Sequence, residues 1–236
     1  LWGRGCNVEA LEDIAKRYNL KLLFDAAHAF GCSYKQEIIG NFGDVEVFSF
    51  NATKFCNSFE GGAIVTNDSE LAHKIRLMKN FGFSNYDCVD FIGINGKMSE
   101  VSAAMGLTSL ESIEDFISTN RKNYKQYQQE LSNIPGVNLI SYDKAEKCNY
   151  QYVIVEIDES IARINRDKIY QILWAENILA RRYFYPGCHQ MEPYRSRIAD
   201  MGLMLTNTRH LAARVLALPT GTAIGTKEIS NICQII

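Results

Sequence analysis

The sequence predicts an α/β fold on three observations. Short apolar runs at 20–24, 45–50 and 62–66 alternate with amphipathic helical patterns at 7–18 and 68–79, as in a mostly parallel sheet with helices laid on it. Two of those runs end in chemistry: Asp25 follows the first, and the polar stretch from Ser49 to Lys54 closes the second. A long helical pattern at 98–131 is then stopped by Ile134-Pro-Gly136, and a different, α+β pattern follows. The expected domains are a large lobe, 1–131, which includes the long helix, and a smaller C-terminal lobe, 132–236.

The elements follow in order. Leu1-Trp-Gly3 reads as the tail of a strand. Asn7 caps a helix whose Val8, Leu11, Ile14, Ala15 and Tyr18 share a face, and Asn19 ends it. The segment from Gly31 to Gly43 carries turn residues and reads as a loop or hairpin. Asp68 or Ser69 caps the next helix, which runs to Lys79 with Leu71, Ile75 and Met78 inward. Residues 81–96 are rich in Gly, Asn and aromatics, lack periodicity and read as an ordered loop. The long helix opens on small and apolar residues around Ala104 and Ser109 and continues through Ile113, Phe116, Tyr124, Tyr127 and Leu131. The second lobe is expected to hold a strand at 150–157, a helix at 166–176, an apolar-basic strand at 180–185, a helix at 208–217 and another from Thr226.

Composition excludes several classes. Of 236 residues, 47% are hydrophobic, enough for a buried core, and the net charge of -2 carries no basic patch for nucleic acid. No apolar run reaches membrane-spanning length. Seven cysteines without a C-x-x-C pair suit free thiols in a reducing cytoplasm better than a disulfide frame or a zinc site. Asn51-Ala-Thr53 and Asn67-Asp-Ser69 match the glycosylation pattern by chance. The stretch Gly93-Ile-Asn-Gly-Lys-Met98 fails as a phosphate-binding P-loop, because Phe91 and Met98 stand where Gly and Ser/Thr are needed.

Lys54 lies in Phe48-Ser-Phe-Asn-Ala-Thr-Lys-Phe55, with apolar residues on both sides. A lysine so placed loses hydration, its pKa falls, and its neutral amine can attack a carbonyl; the same residues also suit an ordinary loop lysine. Asp25 sits where a carboxylate would face that amine if the strands at 20–24 and 45–50 are parallel neighbours. It could equally be a helix N-cap. A carboxylate and an amine over one crevice are what pyridoxal phosphate needs. One keeps the pyridine nitrogen protonated and the other carries the aldehyde carbon.

Four motifs then carry a resemblance. Phe24-Asp-Ala-Ala-His-Ala29, Phe48-Ser-Phe-Asn-Ala-Thr-Lys54, Glu60-Gly-Gly-Ala63 and Gly93-Ile-Asn-Gly-Lys-Met-Ser-Glu-Val-Ser-Ala-Ala104, in that order, resemble the DegT/DnrJ/EryC1/StrS aminotransferases. The resemblance covers nearly the whole chain. It implies the fold of type I pyridoxal-phosphate enzymes, with the large lobe incomplete at its N-terminus. Relatives carry an earlier segment with the first strands and a Gly-Ser/Thr loop for the cofactor phosphate, so this sequence is expected to be the C-terminal part of such an enzyme.

By the same resemblance Lys54 holds the cofactor aldehyde and then moves a proton. Asp25 pairs with the pyridine nitrogen, His28 lies near the phenolic oxygen, and Ser49 donates to the phosphate. Asn51 stands where many relatives have His, so it can hydrogen-bond but cannot titrate. Asn95 reaches the cofactor phosphate of a neighbouring subunit, which makes a two-fold homodimer the expected partner. Arg182, Tyr185 and His189, in the run Ala180-Arg-Arg-Tyr-Phe-Tyr-Pro-Gly-Cys-His189, are candidates for the substrate, with a solvated strand face as the alternative. The implied reaction moves an amino group from L-glutamate to a nucleotide-linked keto-deoxysugar, with a dTDP-linked 4-keto-6-deoxyhexose as the expected form. A sugar dehydratase of the same family would carry His in place of Lys54. A non-catalytic remnant that dimerises or binds sugar nucleotide is the alternative from another class.

Overall fold

The computed structural model describes residues 1–200 and 205–236. The chain divides into two compact units, 1–118 with 142–151, and 119–141 with 152–236.

The first unit opens on a turn at Trp2-Gly3, where a strand tail was expected. Helix α1, Val8–Tyr18, follows. Asn7 caps it by accepting from the Ala10 amide, and Asn19 ends it in the left-handed conformation. Only Val8 and Ala15 of its apolar face are buried; Leu11, Ile14 and Tyr18 are exposed. Strand β1, Leu23–Asp25, leads through two successive turns to the hairpin β2, Ser33–Tyr34, and β3, Glu37–Ile38. Strand β4, Val45–Ser49, is the centre of a three-stranded sheet in the order β1-β4-β5, with β5 spanning Gly62–Val65. β1 runs parallel to β4, in a register that pairs Asp25 with Val47. β5 is antiparallel to β4, pairing Ser49 with Gly62, so the sheet is mixed.

Beneath this sheet Phe48 packs with Ala26, Ala29, Cys32 and Ile39. Phe30 stands edge-on to both Phe48 and Phe50, at 5.4 and 5.3 Å between ring centres, a favoured aromatic geometry. Residues 142–151 belong to the same unit. Fully buried Asn149 donates from Nδ2 to the carbonyls of His28 and Phe30 at 3.0 and 3.1 Å.

Helix α2, Ser69–Met78, starts at an Asp68 cap that accepts from the Glu70 and Leu71 amides. Leu71 and Ile75 are half-buried, whereas Met78 is exposed. The expected loop at 81–96 contains a short hairpin, β6, Phe83–Asn85, with β7, Cys88–Val89. The expected long helix is two helices: α3, Glu100–Glu111, and α4, Ile113–Leu131, broken at Ser112.

The second unit takes the later part of α4 and a sheet in the order β10-β9-β8. Its strands are β8, Val137–Leu139, and β9, Val153–Ile157, with β10 given below. Short helix α5, Glu159–Ala162, and α6, Arg166–Ala175, follow β9. The segment at 180–185 is not a strand. Arg181 pairs with Ala217 through a single bridge, and turns follow. After α7, Tyr194–Asp200, and α8, Thr206–Arg214, the chain enters β10, Val215–Leu218, where helix was expected, and closes on α9, Thr226–Ile235. Val153, Ile154, Val155, Leu173, Leu216 and Ile229 form a core with almost no exposure.

The close approach of β4 and β5 gives a test. A Cβ on Gly62 would lie 2.6 Å from the Phe48 carbonyl oxygen, so Gly62→Ala must push the strands apart. It should lower stability to urea by about 1–3 kcal/mol. Gly96→Ala, whose Cβ would meet only side-chain atoms at 3.4 to 3.6 Å, should stay within about 0.5 kcal/mol.

Candidate active site

The site is built where β1 and β4 leave the sheet. At the tip of β1 the Ala26 amide still pairs with the Val47 carbonyl, at 2.9 Å. The chain then turns, and Asp25 Oδ1 accepts from the Ala27 amide at 3.0 Å, an Asx-turn and not the start of a helix. A second turn, closed by the Ala29 amide on the Ala26 carbonyl, carries His28.

The stretch after β4 is fastened along its length. The Lys54 amide donates to the Asn51 carbonyl at 2.9 Å. Asn51 Oδ1 accepts from the Thr53 amide and hydroxyl, and its Nδ2 donates to both carboxylate oxygens of Glu60, at 2.8 and 3.0 Å. Asn57 donates to the Lys54 carbonyl, Gln151 to the Thr53 carbonyl, and Ser109 to the Asn57 carbonyl. Fully buried Ser58 closes the base, its amide donating to the Phe50 carbonyl at 2.9 Å. All these polar groups hold backbone or one another. Among the described residues none accepts a hydrogen bond from Lys54 Nζ.

The electrostatics tie three side chains together. Burial lowers the Lys54 pKa, because an ammonium loses hydration there, and the Asp25 carboxylate opposes that shift. His28 is lowered from 6.5 to about 4, mainly through burial and then through the positive charge of Lys54, with Asp25 again opposing. The Trp2 amide donates to His28 Nδ1 at 3.2 Å. Ser49 Oγ accepts from the Asn51 amide at 3.3 Å. Asp25, His28, Ser49, Asn51 and Lys54 thus stand in one region of the first unit. Asn95 of the same unit is exposed and forms a backbone bridge with Asn80.

In the second unit Arg182 donates to Asp167 at 3.1 Å, and its guanidinium lies 4.7 Å from the ring centres of both Tyr170 and Tyr185. Arg166 covers Tyr185 as well, at 4.8 Å. His189 is buried in a short 3-10 turn, and its Nε2 has no hydrogen-bond partner among the described residues.

Sequence reading passed over Glu60, Asn149, Gln151 and Trp2, which orient the site's residues from a distance. Only Glu60 carried a signal, as the first residue of Glu60-Gly-Gly.

An aldehyde-bearing pyridine with a phosphate fits this donor set. A carboxylate suits the ring nitrogen, a poorly hydrated amine the aldehyde, an imidazole the phenolic oxygen, and a hydroxyl the phosphate.

The comparisons with known proteins agree. The model of the DegT/DnrJ/EryC1/StrS aminotransferase family matches residues 1–236. The chain is 37% identical to dTDP-4-amino-4,6-dideoxy-D-glucose transaminase of Shigella dysenteriae, covering 100% of this chain and 63% of that protein. It is 31% identical to GDP-perosamine synthase of Escherichia coli O157:H7, again covering 100% of this chain and 63% of the relative. Among solved structures, DesI in the presence of its TDP-sugar product superimposes with a TM-score of 0.92 at 48% identity, over 99% of this chain and 59% of that one. The chain therefore spans less than two thirds of the length of these relatives, and shares with them the α/β fold expected from the four motifs. With its full length matched and its four motifs in order, the chain belongs to the DegT/DnrJ/EryC1/StrS aminotransferase family.

Proposed function

We propose that the enzyme of which this chain carries the matched part is a pyridoxal-phosphate-dependent aminotransferase. It moves an amino group from L-glutamate to a nucleotide-linked keto-deoxysugar, a dTDP-4-keto-6-deoxyhexose. The observation that carries this reading is a half-buried amine, Lys54, with no hydrogen-bond partner among the described residues, coupled to Asp25 and His28 at the tips of two parallel strands. The relatives' names support the sugar nucleotide, and the nearer curated relative and the solved DesI favour a thymidine nucleotide.

When bound, pyridoxal phosphate supplies an electrophilic aldehyde and an electron-withdrawing ring. Asp25 would hold a proton on the ring nitrogen, His28 would donate to the phenolic oxygen, and Ser49 would donate to the phosphate. Lys54, with its lowered pKa, would hold the cofactor's aldehyde end and would serve as the group that accepts and returns a proton there. Asn51 contributes by shaping the Lys54 turn, since both ends of its amide are engaged. Tyr185, 41% exposed and near the guanidinium groups of both Arg166 and Arg182, would contact the sugar nucleotide, with Arg182 and His189 near it in sequence.

We also infer a homodimer in which Asn95 reaches the partner's cofactor phosphate. Exposed apolar side chains before Asn95 and on the following helix α3 support this: Ile92 is 93% exposed, Val101 72% and Leu107 63%. The seven cysteines, none of them in a disulfide, support a reducing cytoplasm. No described helix is long and apolar enough to cross a membrane.

Two experiments test these readings. Incubation with pyridoxal phosphate should give a long-wavelength absorbance band that borohydride removes, leaving the label on Lys54. Lys54→Ala should abolish it, and Asp25→Ala should weaken binding roughly 10- to 100-fold, as expected for losing a charged hydrogen bond of about 1.5–3 kcal/mol. No band, or a label elsewhere, would overturn the assignment. Sedimentation of the unaltered chain should report a dimer, and Ile92→Glu should shift it to monomer; a monomer from the start would remove the shared-site reading.

A further inference from the structure

We propose that the Trp2 backbone amide fixes His28 as its Nε2–H tautomer. His28 is then a neutral hydrogen-bond donor to the cofactor and not a proton acceptor through Nδ1. Trp2 is a positioning residue, and the donor role rests on the cofactor reading above.

The geometry is one-sided. The Trp2 nitrogen lies 3.2 Å from His28 Nδ1. A backbone N–H can only donate, so Nδ1 must present its lone pair, and the neutral ring then carries its proton on Nε2. An imidazolium would set two N–H groups against each other.

The Trp2 turn is itself pinned. Gly3 has φ +73, and a Cβ there would lie 2.8 Å from Asn149 Oδ1, so only glycine fits. The same Asn149 donates from Nδ2 to the His28 carbonyl at 3.0 Å. One buried amide therefore sits against the turn that supplies the donor and holds the backbone of the acceptor. Burial most of all, and then the charge of Lys54, oppose protonation of the ring, and Asp25 favours it. Together they push the ring's pKa down to about 4.

Long-range proton–nitrogen correlation on the nitrogen-15-labelled chain tests the tautomer directly, with no cofactor present. Between about pH 5.5 and 8, one histidine should show an unprotonated Nδ1 and a protonated Nε2, unchanged across the range and absent in His28→Gln. If that variant does not fold, His73→Gln, His189→Gln and His210→Gln assign the signal by elimination. An Nδ1–H pattern, or an imidazolium at pH 6, would overturn the proposal.

Linkage gives a second reading. The folded pKa lies below the unfolded one, so the stability difference is whole above 6.5 and is lost as pH falls through about 4. His28→Gln should flatten acid destabilisation in that window, and an unchanged profile would count against a neutral ring.

For the donor role, Gln can accept from Trp2 and still donate, whereas Leu can do neither. His28→Gln should bind pyridoxal phosphate within about threefold of the unaltered chain, and His28→Leu roughly tenfold more weakly. Equal affinity of the two variants would sink the donor role. Failure of the unaltered chain to bind would sink the cofactor reading instead, with the tautomer still decided by resonance.

Discussion

The parallel pairing of β1 with β4 decides where chemistry can occur in the first unit. Parallel strands leave a sheet at the same edge, so whatever follows each of them is delivered to one crevice. The register sets Asp25 beside Val47, and the Ala26 amide extends the ladder by one more bond. With β1 reversed, the carboxylate of Asp25 and the loop after Ser49 would sit at opposite ends of the sheet. β5 then returns antiparallel from Gly62 and makes the stretch between a closed loop, not an open crossover.

That closure has an energetic consequence for Lys54. Fixing a loop costs conformational entropy, roughly 1–2 kcal/mol per residue for the backbone alone. Here the cost is offset within the protein, by Asn51, Asn57, Ser58, Ser109 and Gln151, each bonded to loop backbone. A ligand arriving at Lys54 meets a main chain already ordered. The amine itself is left without a hydrogen-bond partner among the described residues, and burial favours its neutral form. Asp25 opposes this but lies at the strand tip, exposed to water that weakens its pull. The result is an amine whose backbone is held in place and whose neutral form its burial favours.

Local signals made the early part of the fold legible. Asn7, Asn19 and Asp68 cap or end helices through bonds to residues within a few positions, so their type and place in the sequence suffice. The parallel strand tips at Asp25 and Ser49 were legible through motif order. The break at Ser112 was not, because neither glycine nor proline marks it and both halves are helical by pattern. The small hairpin after Phe83 was hidden because its strands are too short to show a period. The partners that orient the site, Asn149 for His28 and Gln151 for Thr53, come from residues about a hundred positions away, a distance that no local pattern spans.

The passage from α8 to β10 shows how such a distant partner can determine secondary structure. Thr206 to Leu218 contains no glycine or proline, and the apolar run Val215-Leu-Ala-Leu218 suits helix or strand alike. What ends the helix is Arg166, at the start of α6. Its Nη1 donates to the Ala212 and Val215 carbonyls, at 2.9 and 2.6 Å. These flank the point where helical bonding stops, and a cation at a helix C-terminus is favoured by the backbone dipoles as well. The arginine is 2% exposed, and burying a guanidinium is costly unless its charge is met. Asp167 meets it at 2.9 Å through Nε, and the face of Tyr185 covers it. Asp167 also holds Arg182, the second guanidinium over Tyr185. The residues that read as a solvated basic strand at 180–185 are thus tied to a buried charge whose first task is to turn α8 into β10.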